Sequence, residues 1–502
     1  MNIEVKVNTF KELMKKISSY QEALSVMYWD LRTGAPKKGV DIRSEVIGQL
    51  STDVFEMSTS NELGTLLEEL AVPEVFSTLE PVVQKSVITM KKEYDRNKVI
   101  PKKEYEEYVK LQTKAESVWE EAKETDDFNL FAPYLQQLID YNKKFIEYWG
   151  YENHPYNALL DLYEPELTVA EVDSLFNQVR EVIVPLVHSI QESSVKPKTD
   201  FLFESFPKDK QKLLNEIFLK EIGFDFDRGR LDTTVHPFQI TLNINDVRIT
   251  THYLENDFGQ ALFGTMHECG HAMYEQNVSD EFAFTPLASG SSMAIHESQS
   301  LFFENIIGRN KNFWEKYYPL LQENGPESIK NVSLDEYYRA INNSVPSFIR
   351  IHADELTYPL HIIVRYEIEK GIFEGLYKVE DLPKIWNEKM TELLGVTPRN
   401  NTEGILQDVH WSGGSFGYFP SYALGFMYSA QFYNTMKKEI PVEQLMREGK
   451  VQEIREWLTK NIHQYGKSKT PKEIVQDVTG EPLNAQYLID FLKEKYEYLY
   501  EL

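Results

Sequence analysis

Cysteine is nearly absent from this 502-residue sequence, in which Cys269 is the single example. One cysteine excludes an intrachain disulfide and is typical of proteins from a reducing compartment. Long apolar runs are missing too, and none approaches the roughly 18 residues that a membrane-spanning helix needs. Residues 1–6 carry charges where a secretory signal needs an apolar stretch. We therefore expect a cytoplasmic protein without a membrane segment.

Basic residues are scarce relative to acidic ones. The chain has 53 Lys and Arg against 79 Asp and Glu, which gives a net charge of −26. Such a charge disfavours nucleic acid and anionic membrane surfaces as partners, because both are themselves negative. Linkers are also missing, since no stretch rich in Pro, Gly and Ser, no low-complexity tract and no repeat divides the chain. We therefore interpret residues 1–502 as a single domain.

Helical patterns dominate what is present. Hydrophobic residues make up 42% and aromatic residues 13% of the sequence, which is enough for a large core of packed helices. The periodicity predicts a mainly α fold. We expect helices, in chain order, at 10–31, 40–70, 80–125, 128–149, 169–193, 207–221, 311–322, 334–344, 346–375, 382–394, 421–438, 442–462, 471–478 and 484–501.

One interval departs from the helical pattern. Residues 235–252 alternate between polar and apolar and are rich in β-branched side chains, which predicts a hairpin with its turn at Asn245-Asp246. An edge strand of such a hairpin is able to pair with an extended peptide and hold it. A small structural sheet packed on helices is the alternative, and the two interpretations are compatible.

Residues 267–271 form an H-E-x-x-H motif. Because residues i and i+4 share one face of a helix, the imidazoles of His267 and His271 can bind the same zinc ion. Glu268 then lies beside the metal without binding it, where it can accept a proton from water. The alternative is a histidine pair with a nearby carboxylate on an ordinary helix, but such groups are costly in a buried face unless a partner satisfies them. The motif therefore predicts a metal-dependent peptide hydrolase.

The third metal ligand is expected on a second helix. The long metzincin motif requires Gly at position 274 and His at position 277, so Tyr274 and Asn277 exclude that class. A turn rich in Ser and Gly at 288–292 precedes a helical stretch that carries Glu297, far enough along the chain for a second helix to return beside the first. Two His and one Glu leave one position open for water, which is the pattern of a catalytic zinc site.

His296 and Glu304 are rivals of Glu297. His296 is its sequence neighbour and points to a different face of the helix if Glu297 binds the metal. Glu304 is interpreted as a solvated carboxylate or as a partner of one of the ligands. We predict that His267, His271 and Glu297 hold the zinc ion, with Glu268 as the general base.

Further motifs occur in a fixed order along the chain. They are Trp29-Asp30 with Thr33, Pro36 and Arg43; His154-Pro155-Tyr156-Asn157-Ala158-Leu159-Leu160-Asp161 with Tyr163-Glu164-Pro165; His236-Pro237-Phe238; Asp246-Val247-Arg248-Ile249-Thr250; Ile349-Arg350-Ile351-His352-Ala353-Asp354; and Gly404-Ile405-Leu406-Gln407-Asp408-Val409-His410-Trp411. Together with the zinc motifs, this set resembles the carboxypeptidase Taq family of zinc metallopeptidases over most of the chain. Two departures are minor: Asn157 replaces an expected aspartate, and Arg32 is unusual in the first motif.

The resemblance implies a nearly all-α fold in which two helical lobes surround a deep groove with zinc, or sometimes cobalt, at its floor. It also implies a homodimer that removes single residues from peptide C-termini with broad side-chain tolerance. The alternative within the same chemistry is an oligopeptidase or dipeptidyl carboxypeptidase that cuts inside short peptides. A non-enzymatic peptide-binding protein with a structural metal is the alternative outside it.

Arg350 is the leading candidate for binding the free carboxylate of the substrate, because arginine offers paired donors. The resemblance places Arg350 on a helix of the groove. An i,i+4 ion pair with Asp354 is the alternative, and both hold if Asp354 orients the guanidinium. Arg248 on the hairpin is the second candidate, or it closes the groove and restricts cleavage to chain ends. His236 either lines the site or is a core histidine.

The glycine-rich segment 410–422 is the candidate source of an oxyanion hole. Hydrolysis needs donors aimed at the oxyanion that develops on the attacked carbonyl. Related helical zinc peptidases use a His and a Tyr in a comparable C-terminal stretch, so we predict His410 together with Tyr418 or Tyr422. The alternative is a turn that leads into a helix with ordinary core aromatics.

Overall fold

The computed structural model describes residues 2–502, of which most are helical; helix accounts for 68% of the chain. The α-helices, in chain order, are α1 (Ile3–Thr33), α2 (Val40–Ser58), α3 (Asn61–Leu70), α4 (Pro73–Phe76), α5 (Pro81–Lys98), α6 (Lys102–Thr125), α7 (Phe128–Trp149), α8 (Asn157–Leu160), α9 (Val169–Glu192), α10 (Lys208–Ile222), α11 (Phe258–Gln276), α12 (Met293–Leu301), α13 (Lys311–Asn324), α14 (Leu334–Ile341), α15 (Tyr358–Phe373), α16 (Leu382–Leu394), α17 (Pro420–Glu439), α18 (Val442–Glu448), α19 (Val451–Asn461), α20 (Pro471–Thr479) and α21 (Gln486–Tyr500). The expected mainly α fold is confirmed. None of the described helices is long and apolar enough to cross a membrane.

In the first quarter of the chain, two ranges that were each predicted as one helix are each divided into two helices. The range 40–70 is interrupted where Ser60 caps α3, its side chain accepting a hydrogen bond from the backbone N–H of Leu63. The range 80–125 is interrupted at Pro101, which precedes α6 and cannot donate to a continuing helix. In both places a start signal lies inside an otherwise helical pattern, and the local signal decides the boundary.

Two later ranges were also predicted too long. The range 442–462 breaks at Gly449, whose φ of 72° ends α18 in the left-handed conformation. The range 346–375 becomes helical only at Tyr358, because Pro359 lies in the first turn of α15, where its missing N–H has no cost. Before it, Arg350 to His352 form a single 3₁₀ turn. The remaining predicted helices agree within three residues, apart from α1, which begins seven residues earlier.

The hairpin is confirmed as part of a three-stranded sheet with strands β1 (Leu231–Thr233), β2 (Gln239–Asn243) and β3 (Asp246–Thr251) in the order β1-β3-β2. β2 pairs with β3 antiparallel, and β1, which was not predicted, pairs with β3 in parallel. The turn lies one residue earlier than expected, at 244–245. Asn243 sets this position because its side-chain oxygen accepts a hydrogen bond from the backbone N–H of Asn245 and because it pairs with Asp246.

Buried side chains form two separate apolar clusters. The smaller cluster lies among α1, α3 and α5 and includes Phe10, Leu67 and Val87. The larger cluster contains the rest of the core, including α11, α12, α15 and α17.

Helix α11 is buried along most of its length and packs against the sheet on one side and α12 on another. Gly270 allows the two helices to approach closely, since a Cβ there would lie 2.3 Å from the backbone oxygen of Gln299. Helix α17 covers α12 in the same way, because a Cβ on Gly425 would lie 2.7 Å from the Cβ of Glu297. These two glycines therefore set the spacing of the three helices.

Gly270→Ala is expected to destabilise the fold, because backbone atoms of α12 occupy the space of the added methyl group. Overpacking of this kind costs about 1–3 kcal/mol. Gly264→Ala is the matched control on the same helix, since a Cβ there meets nothing within 4 Å. The control should raise stability by about 0.5–1 kcal/mol, as Ala does at an unhindered helical Gly. Urea unfolding of the metal-free proteins measures both, and equal stabilities would contradict the packing described.

Candidate metal centre and active site

Helices α11 and α12 bring three side chains of metal-ligating type together: His267, His271 and Glu297, with candidate ligand atoms all within 4.8 Å of one another. The Oε2 atom of Glu297 lies 3.4 Å from Nε2 of His271 and 3.8 Å from Nε2 of His267. Ligands about 2.0–2.1 Å from a tetrahedral zinc ion are about 3.3 Å apart. The cluster therefore has nearly the spacing of a zinc site.

The surroundings of the cluster also fit a cation. The Oε1 atom of Glu297 is buried and has no hydrogen-bond partner among the described residues. Burial opposes a charge on His267, yet Glu297 and Glu304 raise its pKa to about 10. A buried carboxylate atom without a partner and an excess of negative charge are both costly in a protein interior. A divalent cation would relieve both.

Glu268 lies beside the cluster and is 9% exposed. Burial raises its pKa to about 7, with Glu297 contributing to the rise and His267 opposing it. A carboxylate with a pKa near neutral is well matched to accepting a proton from water and returning it. Its position next to the ligands and its environment therefore agree with the role of a general base.

Glu304 and His296, the two alternatives to Glu297 as third ligand, contact the histidines on the side away from Glu297. Glu304 is on the π-helical turn Phe302–Ile307 that continues α12, and its Oε2 is 2.8 Å from Nδ1 of His267. Nδ1 of His296 is 2.6 Å from Nδ1 of His271. Both residues therefore contact the ring nitrogen that faces away from Glu297, as partners of a metal-ligating histidine commonly do.

The start of α12 is held by a segment far away in the chain. The Glu164 carboxylate is buried and accepts hydrogen bonds from the Ser292 hydroxyl at 2.8 Å and from the backbone N–H of Ala294 at 3.0 Å. The backbone N–H of Met293 donates to the carbonyl oxygen of Tyr163 at 3.1 Å. Tyr163 and Glu164 therefore satisfy donors in the first turn of the helix that carries Glu297.

His410, Tyr418 and Tyr422 form one aromatic group beside the cluster. Nε2 of His410 lies 3.1 Å from the Tyr422 hydroxyl, and the two tyrosine rings are 5.1 Å apart. Burial raises the pKa of Tyr422 to about 12, and the charge of Glu297 adds to the rise. The Tyr422 hydroxyl therefore keeps its proton at neutral pH and remains a donor.

Glu369 on α15 fixes the glycine-rich segment that contains this group. Its carboxylate is fully buried and accepts hydrogen bonds from Nε1 of Trp411 at 2.6 Å, the backbone N–H of Gly417 at 2.8 Å and the hydroxyl of Tyr156 at 2.6 Å. Gly417 has a φ of 88°, and a Cβ there would lie 2.6 Å from the backbone of Leu159. The sequence analysis missed Glu369, although a glutamate in an apolar stretch of helix signals a buried, specific role.

Arg350 is not paired with Asp354, so the alternative interpretation of Arg350 as half of an i,i+4 ion pair was wrong. No helix connects the two residues, so the i,i+4 spacing has no geometric meaning there. Arg350 instead donates to Asp408, with Nη2 2.9 Å from Oδ1, while Asp354 accepts hydrogen bonds from the segment around Thr357. Nη2 of Arg365 also donates to Asp408, at 2.8 Å.

The guanidinium of Arg350 lies 4.8 Å from the centre of the Tyr422 ring. Its Nε and Nη2 atoms both face Asp408, and its Nη1 atom has no hydrogen-bond partner among residues 2–502. One donor of a fixed, charged guanidinium is therefore available beside the aromatic group.

Neither of the two remaining predicted residues forms a hydrogen bond or ion pair with a metal ligand among residues 2–502. Arg248 donates to Asp246 through Nε at 2.8 Å and Nη2 at 2.6 Å, and its guanidinium lies 5.5 Å from the ring of Trp29. His236 is exposed, so it is not a core histidine. The ring of Trp29 is 5.6 Å from that of Phe238, which joins the N-terminal motif to the hairpin motif.

Comparison with known proteins assigns this arrangement to a family. The family described as carboxypeptidase Taq (M32) metallopeptidase matches residues 9–496. This chain belongs to that family. The resemblance inferred from the ordered motifs is therefore confirmed.

Relatives of the carboxypeptidase Taq family match this chain along its whole length. Carboxypeptidase 1 of Bacillus subtilis is 56% identical over 503 residues, covering 100% of both chains. Thermostable carboxypeptidase 1 of Pyrococcus furiosus is 39% identical and covers 97% of this chain and 98% of its own. The crystal structure of a carboxypeptidase from Deinococcus radiodurans superposes with a TM-score of 0.96 at 32% identity, covering 99% of this chain and 100% of that one. The protein is thus a metallocarboxypeptidase.

Glu369→Ala should destabilise this metallocarboxypeptidase by about 3 kcal/mol or more, because three buried donors lose their acceptor at about 1–3 kcal/mol each. Glu367→Ala is the control on the same helix. That side chain is 19% exposed and pairs with Arg180 and Lys389, so its loss should cost less, about 0.2–1 kcal/mol for each of the two ion pairs. Thermal and urea unfolding compare the two variants, and an equal cost would show that the buried carboxylate is not the anchor of the segment.

Proposed function

We propose that the enzyme is a zinc-dependent carboxypeptidase that releases single amino acids from peptide C-termini with broad side-chain tolerance. The observation that carries this proposal is the position of Arg350. Its guanidinium is next to the ring of Tyr422, and Tyr422 is close enough to Glu297 for that carboxylate to raise its pKa. A fixed cation near the reacting centre is what recognition of a terminal carboxylate requires.

His267, His271 and Glu297 are the proposed ligands of zinc, with cobalt as the alternative ion. A divalent ion bound there would polarise the scissile carbonyl and lower the pKa of the attacking water. Glu268 takes a proton from that water and delivers it to the leaving amine. The raised pKa of Glu268, about 7, supports both halves of this transfer.

His410, Tyr418 and Tyr422 are the proposed donors and supports for the oxyanion. Burial lowers the pKa of His410 to about 3, so its imidazole is neutral at neutral pH. If its Nε2–H donates to the Tyr422 oxygen, the Tyr422 proton remains free to donate to the substrate. Such a donor, fixed before the substrate binds, stabilises the developing charge without reorganisation.

Arg350 is the proposed anchor of the substrate's terminal carboxylate. Burial works against the charge of Asp408, yet Arg350 and Arg365 hold the pKa of that carboxyl well below its usual range. Asp408 occupies the Nε and Nη2 atoms of Arg350, so its Nη1 atom is the donor available to the substrate. Arg248 is the second candidate for this contact, or it closes one end of the groove, and His236 remains a weaker candidate for lining it.

We further propose that residues 1–502 form one catalytic domain with two lobes and that the enzyme is a cytoplasmic homodimer. The family resemblance supports the dimer, and the net charge of −26 supports peptides rather than nucleic acid or membranes as partners. Light scattering tests the dimer directly, since one chain has a mass of 58.6 kDa.

Glu268→Gln should lower kcat by about 10²–10⁴-fold, because the amide cannot accept the proton of the attacking water. Bound metal should remain stoichiometric, since this side chain is not a proposed ligand. Single-turnover assays and metal analysis of the same preparation measure both quantities. Loss of metal from the variant would make Glu268 a ligand and remove it as the base.

The choice between an exopeptidase and an enzyme that cuts inside peptides depends on the substrate's carboxylate. A short peptide with a free C-terminus should lose single residues in mass spectra, and its C-terminally amidated form should not be cut. Arg350→Ala should lower kcat/KM for the free peptide by about 10–150-fold, the loss of one charged hydrogen bond. Arg248→Ala is the matched comparison. Cleavage of both peptide forms would instead indicate an oligopeptidase.

A further inference from the structure

A chain of hydrogen bonds leads from His271 to the sheet. Nδ1 of His271 lies 2.6 Å from Nδ1 of His296, and Nε2 of His296 lies 3.0 Å from Oε1 of Glu275. The same Oε1 accepts a hydrogen bond from the backbone N–H of Gly290 at 2.8 Å. The Thr241 hydroxyl donates to the other carboxylate oxygen of Glu275 at 3.1 Å.

Every bond in this chain has a determined direction once His271 binds a metal through Nε2, the atom that faces Glu297. The proton of the neutral imidazole is then on Nδ1, which donates to Nδ1 of His296. His296 must therefore carry its own proton on Nε2, which donates to Glu275. The carboxylate of Glu275 ends the chain, because it can only accept.

The two histidine ligands are supported differently. His267 contacts the carboxylate of Glu304 directly at 2.8 Å. Nδ1 of His271 is linked to a carboxylate through a second imidazole, that of His296. His271 and Glu275 lie on the same face of α11, one helical turn apart, and the ring of His296 from α12 fills the space between them.

Glu275 is well fixed at the far end of the chain. It is 2% exposed, and its three donors come from β2, from α12 and from the turn before α12. A buried carboxylate is stable only when such donors compensate for its lost hydration. The three donors therefore stabilise the ionised carboxylate of Glu275 and fix its position.

We propose that His296 and Glu275 are positioning residues that hold His271 in the ring orientation and tautomer needed to bind the metal through Nε2. This inference rests on the proposed function only in taking His271 as a metal ligand. Thr241 ties the far end of the chain to β2, which is an outer strand of the sheet. The hydrogen bonds, rather than the negative charge alone, carry the effect.

The test compares variants that keep the hydrogen bonds with variants that remove them. Glu275→Gln can keep them all, because its amide oxygen accepts from His296 and Gly290 while its NH₂ group donates to the Thr241 hydroxyl. Glu275→Leu keeps the volume and removes the acceptors. His296→Asn retains an acceptor near the position of Nδ1, and His296→Leu does not. Glu281→Gln, at an exposed acid, is the control for a change of charge.

The readouts are the dissociation constants for Zn²⁺ and Co²⁺ by chelator competition and the visible absorption spectrum of the Co²⁺ form. Glu275→Leu and His296→Leu should weaken binding by about 10–100-fold and change the cobalt spectrum. The dissociation constants of Glu275→Gln and His296→Asn should stay closer to that of the parent enzyme. For Glu275→Gln, in which all the hydrogen bonds remain, the difference should be within about threefold. Urea unfolding of the metal-free forms shows whether each variant is folded.

Parent-like affinity and spectrum in Glu275→Leu and His296→Leu would overturn the proposal. A loss in Glu275→Gln as large as that in Glu275→Leu would overturn the role of the hydrogen bonds. His271→Ala, measured in parallel, separates this inference from the proposed function. If that variant binds metal normally, the ligand assignment itself fails. If it loses metal while the Leu variants do not, only the positioning role fails.

Discussion

Close contact between helices α11, α12 and α17 is the constraint on which the site depends. Gly270 lets the backbone of α12 lie directly against α11, and Gly425 lets α17 lie directly against the side chain of Glu297. The carboxylate is therefore held between two helices and in reach of both histidines. A larger side chain at either glycine would force α12 or the side chain of Glu297 to shift relative to the imidazoles.

Buried charges then organise the opposite side of the site. Arg365 and Glu369 lie one turn apart on α15 and both contact the segment that carries the aromatic group, Arg365 through Asp408 and Glu369 through Trp411 and Gly417. The guanidinium of Arg365 also lies 4.2 Å from the centre of the Trp411 ring. Burial lowers the pKa of Arg365 and raises the pKa of Glu369, and the partners of each group offset part of this cost.

Local patterns predicted most helices and the first two ligands. Residues 267–271 were recognisable because the i,i+4 spacing has only one geometric meaning on a helix. The prediction missed the helix breaks at Ser60, Pro101 and Gly449. At each of them a single start or stop residue interrupts a hydrophobic periodicity that continues on both sides. The turn of the hairpin was misplaced by one residue because a side-chain hydrogen bond of Asn243, not composition, selects it.

The contacts that shape the rest of the site are long-range, and no sequence spacing reveals them. The alternative pairing of Arg350 with Asp354 relied on a helical spacing that does not apply in a 3₁₀ turn, whereas its partner Asp408 follows 58 positions later. Glu275 and His296 are both present in the sequence, but the hydrogen bonds that link them to His271 depend on how α11 and α12 pack in three dimensions. The family motifs contain Arg350 and Asp408 but do not show that these two residues are partners.

The anchoring of α12 has a consequence for how the enzyme is made. Glu164 secures the first turn of this helix, and Gly425 packs against its ligand. A chain that has left the ribosome only as far as residue 301 already contains all three ligand residues, but it lacks α17. The packing around Glu297 is therefore complete only after α17, which ends at Glu439, has been synthesised and has folded onto α12.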